Sequence, residues 1–223
     1  MPQRSAIPGR LHRRWGTISG LLALLLGILL GVVIALRGNA ALGVDAEWME
    51  EITEHRSPLW EVPSYVMNFL GGGMFATILA VAISVLFLVL KRPWTAVYFA
   101  ATSLISSGLV QLLKALLGRV RPEEIMLQLD SGSFPSGHVA NAATLATLLA
   151  IIVWRWWAAA AGLVYVILMA LSRTYLGAHW LSDTAGGLLI GAGVAIIIWA
   201  PFAQRIQNEK TRRTAQIRSS VES

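Results

Sequence analysis

Two histidines and an aspartate have residue types and a spacing that could carry out nucleophilic chemistry. His179 and Asp183 are four residues apart, so on a helix the carboxylate lies beside one nitrogen of the imidazole ring. The other ring nitrogen then keeps its lone pair and can attack an electrophile. His138 lies in a separate motif, from which a second imidazole could protonate a leaving oxygen. The alternative for the His179–Asp183 pair is a buried contact that braces two helices.

Three cations predict that the electrophile is anionic. Lys114 and Arg121 are seven residues apart, which returns nearly to the same helix face, and Pro122 predicts that the helix ends at Arg121. Arg173 precedes Gly177, which predicts the end of another helix, and its guanidinium suits the oxygens of a phosphate. For Lys114 and Arg121 alone, the alternative is a pair of side chains that snorkel from the end of a membrane span.

The sequence "FPSGH", residues 134–138, predicts a helix N-terminus that binds an anion. Ser136 can cap the helix, Gly137 permits a ligand to approach the backbone closely, and the free N–H groups attract negative charge. Taken alone, His138 at such a position is more often a structural histidine than a catalytic one. Together, however, the cations, the helix end and the two histidines would hold a phosphoryl group while one histidine attacks and the other protonates the leaving oxygen.

Composition identifies the chain that positions these residues as a membrane protein. Of its 223 residues, 56% are hydrophobic and 13% are charged, against roughly 25% charged in a soluble domain. The net charge of +6 comes mainly from the two ends and the turns, which is a topology signal rather than a sign of nucleic-acid binding. The absence of cysteine excludes disulfides and thiolate metal sites. We expect one transmembrane domain over residues 1–203, with a short basic segment at 1–16, and then a polar, disordered cytoplasmic tail at 204–223.

Six apolar segments predict an all-α, polytopic bundle of six transmembrane helices. For the first segment, the alternative is a signal peptide with a cleavage pattern at Gly38 and Ala40, although its apolar core is longer than a usual signal sequence has. In the last segment, Gly187 and Gly191 form a step that predicts helix packing. The segments are residues 17–36, 69–90, 93–113, 138–154, 156–171 and 184–203.

The basic residues predict the orientation of the chain in a plasma membrane. Six alternating helices would place them on one side, which should be cytoplasmic together with both termini. The candidate functional residues then lie on the external side, with an acidic first loop. In that loop, Asp45 is a possible N-cap for a short helix in the outer interface, and the alternative is a solvated acidic loop. The basic residues are Arg4, Arg10, Arg13, Arg14, Lys91, Arg92, Arg155, Arg205, Lys210, Arg212, Arg213 and Arg218.

Three motifs together resemble the signature of the type 2 phosphatidic acid phosphatase superfamily. The resemblance is complete at the signature positions, follows the family's order and spans residues 114–183. It implies a membrane bundle whose core is similar to that of vanadium haloperoxidases and acid phosphatases. It also implies a phosphatase that works without a metal or another cofactor. The motifs are Lys114-x6-Arg121-Pro122, Pro135-Ser136-Gly137-His138 and Ser172-Arg173-x5-His179-x3-Asp183.

The resemblance implies a role for each signature residue. His179 would be the nucleophile that forms a phosphohistidine, and Asp183 would orient it. His138 would be the general acid for the leaving group and then the base for water. The residues that would bind the phosphoryl oxygens are Lys114, Arg121, Ser136, Gly137 and Arg173.

Four charged residues near the first two motifs have no role in this signature. We assign Arg119 at most an auxiliary positive charge. Glu123, Glu124 and Asp130 could in principle bind a cation, but they lack a paired ligand pattern. We interpret these three carboxylates as solvated loop residues.

The implied function is hydrolysis of a lipid phosphomonoester or pyrophosphate at the outer leaflet, with the lipid bilayer as the partner. Six-span relatives of this size commonly act on undecaprenyl pyrophosphate, phosphatidylglycerol phosphate or phosphatidic acid, and the polyprenyl pyrophosphate is favoured. One alternative is a phosphotransferase of the same superfamily. Another is a non-catalytic binder or transporter of anionic lipids, which would not require His179.

Overall fold

The computed structural model describes residues 10–129 and 132–221, with side chains over residues 13–129 and 132–212. This part of the chain forms eight α-helices and no β-strand, which confirms the all-α class. Arg4 and Asp130 lie outside it, as do the side chains of Arg10, Arg213 and Arg218. The helices are α1 (Arg10–Leu36), α2 (Gly43–Glu54), α3 (Pro58–Gly71), α4 (Gly73–Val89), α5 (Pro93–Leu117), α6 (Gly137–Val153), α7 (Trp156–Tyr175) and α8 (Leu181–Val221).

The helices identify a multi-pass membrane protein, but they do not confirm six spans. Among the described residues, α1, α5, α7 and α8 are long and apolar enough to cross a bilayer. The pair α3 and α4 passes the same test only together, with a bend of 53° between them. α6 has 17 residues, because Ser136 precedes its first turn and Trp154 ends it with left-handed backbone. A perpendicular span needs about 20 residues, so the count is four, or five with the bent pair.

α8 lies at the centre of the bundle and packs against α1, α5 and α6. Glycines allow α1 and α6 to approach α8 so closely that backbone atoms of the paired helices are in contact. A Cβ on Gly20 of α1 would lie 3.1 Å from the backbone oxygen of Gly193, and a Cβ on Gly191 would collide with the backbone oxygen of Ala140 in α6. The packing role predicted for the step formed by Gly187 and Gly191 is therefore confirmed.

Four helix ends meet at one end of the bundle, where α5 and α7 finish and α6 and α8 begin. The backbone N–H of Ser136, before α6, donates to the backbone oxygen of Asp183 in α8 at 2.9 Å. The connection after α5 passes directly over Gly177, whose φ is +62°. A Cβ there would lie 2.5 Å from the backbone oxygen of Glu124. Only glycine fits both this backbone conformation and this close approach.

The end of α5 differs from the prediction. The helix stops at Leu117 because Gly118 adopts left-handed backbone, with its N–H donating to the oxygen of Lys114 at 3.0 Å. This is a glycine helix terminus, and it comes before Arg121. The prediction that Lys114 and Arg121 share one helix face is therefore wrong. Arg119 and Arg121 instead extend from the connection that follows the helix.

The acidic first loop contains the predicted short helix, α2, but Asp45 is not its N-cap. Leu42 occupies the N-cap position, and the Asp45 carboxylate accepts a hydrogen bond from the Leu42 backbone N–H at 3.1 Å. Asp45 is fully buried. The helix therefore directs this charge into the protein, in contrast to both the interfacial and the solvated interpretations of that residue.

The C-terminal segment is helical, which contradicts its predicted disorder, since α8 continues to Val221. The carboxylate of Glu209 accepts hydrogen bonds from the backbone N–H groups of Trp94 and Thr95 at 2.6 and 3.1 Å. These donors belong to the first turn of α5 and lack partners within that helix. Arg205 stacks on the Trp94 ring, with 4.0 Å between its guanidinium carbon and the ring centroid. Contacts with α5 thus order the segment that composition marked as a polar tail.

We predict that Glu209→Ala lowers the thermal stability of the detergent-purified protein. Loss of a charged acceptor at the N-terminus of α5 should cost about 1 kcal/mol, observed as a lower midpoint of thermal unfolding. Glu50→Ala, which removes an exposed carboxylate from α2, is the matched control. Equal midpoints for the two variants would show that the contact between α8 and α5 contributes no stability.

Candidate active site

Asp183 and His179 lie together at the N-terminal end of α8, and both are buried. The Oδ2 atom of Asp183 is 3.6 Å from Nδ1 of His179, a close contact that is longer than a hydrogen bond. The same oxygen accepts a hydrogen bond from the backbone N–H of Trp180 at 2.9 Å and another from the Ser133 hydroxyl. The carboxylate is therefore held beside the imidazole ring, as predicted, but His179 lies in the turn before α8 and does not share a helix with Asp183.

The second ring nitrogen of His179 faces the cations. Its Nε2 lies 3.5 Å from Nη1 of Arg121. Because arginine can only donate, this contact favours the tautomer with the lone pair on Nε2 and the proton on Nδ1, next to Asp183. Burial lowers the pKa of His179 well below 6.5, and the charges of Arg173, Lys114 and Arg121 lower it further. The ring is therefore neutral at neutral pH, which is the state that a nucleophile requires.

Lys114 and Arg121 converge on the loop before α6. Lys114 Nζ donates to the backbone oxygen of Gly132 at 2.5 Å, and Arg121 Nη2 donates to the same oxygen at 3.4 Å. Arg121 Nη1 also donates to the backbone oxygen of Ala178, next to His179. A backbone carbonyl, rather than a common helix face, thus brings the two cations together.

Arg173 is fully buried at the end of α7 and keeps donors available for a ligand. Its Nη1 donates to the side-chain oxygen of Asn68 in α3. Its Nε and Nη2 are buried without a partner among the described residues. Buried donors without acceptors cost free energy, so an anion that accepts from both of them would be bound favourably.

His138 lies in the first turn of α6, next to the junction of α3 and α4. Its Nε2 is 3.1 Å from the backbone oxygen of Asn68, so one residue contacts both His138 and Arg173. A Cβ on Gly71 would lie 2.9 Å from Cδ2 of His138, and the absence of that atom leaves room for the imidazole. Sequence reasoning did not identify Asn68, although an amide within an apolar helix is a signal for a buried polar contact.

The N-terminus of α6 lies beside Lys114. A Cβ on Gly137 would be 3.9 Å from Cε of that lysine. Ser136 is the N-cap residue, as predicted, but its side chain makes no capping hydrogen bond, and its Oγ is buried without a partner in the described structure. Within the same ranges, no three His, Asp or Glu side chains are grouped as metal ligands would be. The polar groups that converge here are donors, which suit an anion.

Arg119, assigned at most an auxiliary charge from sequence, is instead a fully buried residue of the site. Its Nη1 lies 2.6 Å from Oδ1 of Asp183, and its Nη2 lies 2.8 Å from Oδ2 of Asp45. Its position two residues before Arg121 does not show which way its side chain points. The directions of both arginine side chains depend on where α5 ends, and the helix ends earlier than predicted.

Comparison with known proteins places this site in a family. A family model described as the PAP2 superfamily matches residues 94–207. The chain belongs to this superfamily. The matched range is about half of the chain and includes every residue that the sequence assigned to the site.

Two curated relatives are lipid phosphatases by name. The chain is 34% identical over 113 residues to decaprenylphosphoryl-5-phosphoribose phosphatase of Mycobacterium tuberculosis, covering 48% of this chain and 60% of that protein. It is 28% identical over 167 residues to phosphatidylglycerophosphatase B of Bacillus subtilis, covering 70% of this chain and 82% of that protein. The match to the mycobacterial enzyme thus spans less than two thirds of its length.

A solved structure shares the fold. The crystal structure of a transmembrane PAP2-type phosphatidylglycerolphosphate phosphatase from Bacillus subtilis superposes with a TM-score of 0.71 and 23% sequence identity. The alignment covers 81% of this chain and 94% of that one. The bundle described above therefore shares its fold with a membrane PAP2 phosphatase.

We predict that the imidazole of His179 stays neutral as the pH falls through 6.5. Burial and three nearby cations disfavour the imidazolium, so the ring should take up a proton only at a pH well below that of an exposed histidine. The unfolded chain would bind this proton near pH 6.5. Above that pH the ring is neutral in both states. Below it the unfolded chain binds a proton that the folded chain does not, so the free energy of unfolding falls progressively as the pH is lowered.

This can be measured by NMR of histidine-labelled protein in micelles, with the signal assigned by its loss in His179→Asn. A titration midpoint at or above 6.5 would contradict the described environment.

Proposed function

We propose that this chain is an integral membrane phosphatase that hydrolyses the phosphomonoester or pyrophosphate headgroup of a lipid through a phosphohistidine on His179. The observation that carries the proposal is the buried imidazole of His179, whose Nε2 lies 3.5 Å from Nη1 of Arg121 and whose surroundings include the charges of Arg173 and Lys114. A structural His–Asp contact alone would not need those cations. A phosphoryl group would, because its transfer depends on positioning and on stabilisation of negative charge.

The first step forms a bond between Nε2 of His179 and phosphorus while the bond from phosphorus to the leaving oxygen breaks. His138 must carry a proton on both ring nitrogens for this step, and it donates one to that oxygen as it departs. Burial and the charge of Arg173 hold the pKa of His138 far below its usual value in the unliganded site, so the step requires the negative charge of the bound substrate to raise that pKa and protonate the ring. Asp183 stabilises the positive charge that develops on the ring of His179, whose Nδ1 faces it at 3.6 Å. In the second step, His138 removes a proton from water, water attacks phosphorus, and the bond to Nε2 breaks.

The donors of the site would hold the phosphoryl oxygens. Nε and Nη2 of Arg173 are the first candidates, since they have no partner in the described part of the chain. Lys114 and Arg121 would exchange carbonyl contacts for contacts to phosphate. The backbone amides at the start of α6, with the Oγ of Ser136, complete the cradle. In this proposal the charge is stabilised by side chains of this chain, and catalysis needs no metal ion.

A cavity supports a lipid as the substrate. It has a volume of about 530 Å³, lies between α4, α5 and α6, and is lined mostly by apolar residues. Gly137 and Asn141 line it near the site, whereas Leu88 and Phe99 lie toward the opposite end of the bundle. Such a cavity could bind a hydrocarbon tail while the headgroup reaches Lys114, beside Gly137.

The relatives and the charge distribution support the class of lipid and the orientation of the site. The curated names describe enzymes for a decaprenyl-linked sugar phosphate and for phosphatidylglycerophosphate. We propose a polyprenyl pyrophosphate as the substrate of this chain. Lys91, Arg92 and Arg155 lie at helix ends opposite the site, and Arg205 stacks on Trp94 at the start of α5, on the same side. The positive-inside rule therefore supports cytoplasmic termini and an extracytoplasmic site.

We predict that purified protein incubated with ³²P-labelled undecaprenyl pyrophosphate carries a label that is stable in alkali and lost in acid, as phosphohistidine requires. Inorganic phosphate should be released without an added acceptor and in the presence of EDTA. His179→Ala should abolish the label and lower the rate about a thousandfold or more. His55→Ala is the matched control, because its ring is exposed on α2's C-terminal side.

The outcomes separate the alternatives. Phosphate release without a label would contradict the phosphohistidine, and loss of activity in EDTA would contradict metal independence. A label that turns over only with an added acceptor would identify a phosphotransferase. Full activity of His179→Ala would contradict the whole proposal. Phosphatidylglycerol phosphate and phosphatidic acid, tested side by side, decide which headgroup is preferred.

A further inference from the structure

A buried charge network, formed by Asp45, Arg119, Ser182 and Asp183, lies behind the imidazole of His179. All four side chains are at least nine-tenths buried. Arg119 is placed between the two carboxylates, 2.6 Å from Oδ1 of Asp183 and 2.8 Å from Oδ2 of Asp45. Its Nη1 also donates to the hydroxyl of Ser182 at 2.8 Å. The signature of the superfamily includes Asp183 but neither of the two residues that pair with one another behind it.

Arg119 helps to fix the orientation of the Asp183 carboxylate by binding Oδ1, while Ser133 and Trp180 bind Oδ2. Oδ1 is occupied by the guanidinium, so Oδ2 is the atom that remains 3.6 Å from Nδ1 of His179. Rotation of the carboxylate would break the contact with Arg119 and leave a buried guanidinium donor unsatisfied, which is costly. The orientation of Asp183 toward the ring therefore depends on a residue that does not touch the ring.

Asp45 holds Arg119 through Oδ2 and is itself held by Ser182, in the first turn of α8. Its Oδ1 accepts from the backbone N–H of Ser182 at 2.8 Å, and its Oδ2 accepts from the hydroxyl of Ser182 at 2.7 Å. The contact to the Ser182 N–H satisfies a donor in the first turn of α8, which carries Asp183. α2 is thereby joined through one carboxylate to α8, which carries Asp183 and follows directly after His179.

The network also sets how much negative charge acts on the ring. Two carboxylates and one guanidinium sum to one negative charge, in a site where burial strengthens every interaction. Without the charge of Asp45, Arg119 would pair with Asp183 alone and neutralise it. The positive charge that develops on His179 during attack would then have no counter-charge.

We infer that Asp45 and Arg119 are positioning residues that fix the orientation and preserve the negative charge of Asp183 during phosphoryl transfer. The inference rests on the proposed function, because these effects matter to the reaction only if His179 attacks. It assigns a catalytic purpose to α2, the short acidic helix outside the matched family range.

The test compares Asp45→Asn, Arg119→Gln and the double variant in detergent, by steady-state kinetics and by the rate of phosphoenzyme formation after rapid mixing. Each single change should lower kcat about 10- to 100-fold, by analogy with the loss seen when a residue that orients a metal ligand is removed. KM should stay within about twofold. The kcat of the double variant should be no lower than that of the less active single variant, because both residues act through the same carboxylate.

Substitutions at these buried positions reduce stability as well as activity, so three further variants separate the two effects. Ser182→Ala retains every charge and should lower kcat by a smaller factor in the same direction. Glu209→Ala is destabilised at the far end of α8 and should keep the wild-type kcat per folded molecule, measured alongside thermal unfolding. Arg119→Lys should recover part of the activity lost in Arg119→Gln, because it restores the charge.

The failure of this inference is distinct from failure of the proposed function. If the wild-type protein forms a phosphoenzyme and both single variants keep kcat within twofold, the network is only structural and the inference is wrong. The same holds if only KM changes, or if Glu209→Ala loses as much kcat per folded molecule as the two single variants do. If the wild-type protein forms no phosphoenzyme, the proposed function itself is wrong.

Discussion

The burial of the Asp183 carboxylate is the constraint on which the rest of the site depends. A charge with no exposed surface must be satisfied on both oxygens, since an unpaired buried charge is strongly destabilising. Arg119 satisfies one oxygen, and Ser133 and Trp180 satisfy the other. These donors come from the connection after α5, the loop before α6 and the turn before α8. One buried carboxylate therefore ties together the segments that carry the cations, the helix N-terminus and His179.

The same burial explains the chemistry proposed for the imidazole. Desolvation and three cations keep His179 neutral, while Asp183 is available to stabilise positive charge when it develops. An anionic substrate would offset the repulsion among Lys114, Arg121 and Arg173 on binding. Its phosphorus would thereby be brought next to the ring nitrogen. The ring is thus uncharged before the reaction and electrostatically supported during it, which is the differential stabilisation that catalysis requires.

Sequence predicted those features that depend on nearby residues. The six apolar segments correspond to α1, α4, α5, α6, α7 and α8, and the motif residues gather at one end of the bundle, whereas most of α3 (Pro58–Gly71) lies outside any predicted segment. The features it missed depend on partners far along the chain. Asp45 contacts a residue 74 positions away, Asn68 one 105 away, and Glu209 one 114 away. No periodicity or spacing encodes such pairs. The end of α5 was misplaced for another reason, because Pro122 was given more weight than Gly118, which stops the helix first.

We propose that a phosphoryl group binds between Nε2 of His179 and the two donors of Arg173 that have no partner in the described structure. A crystal structure with bound orthovanadate, which imitates the phosphoryl group at the point of transfer, would test this binding mode most directly. We predict vanadium bonded to Nε2 of His179, its oxygens within hydrogen-bond distance of Nε and Nη2 of Arg173, and His138 facing the opposite apical oxygen. Vanadate bound away from His179, or bonded there with the donors of Arg173 still unoccupied, would contradict the account.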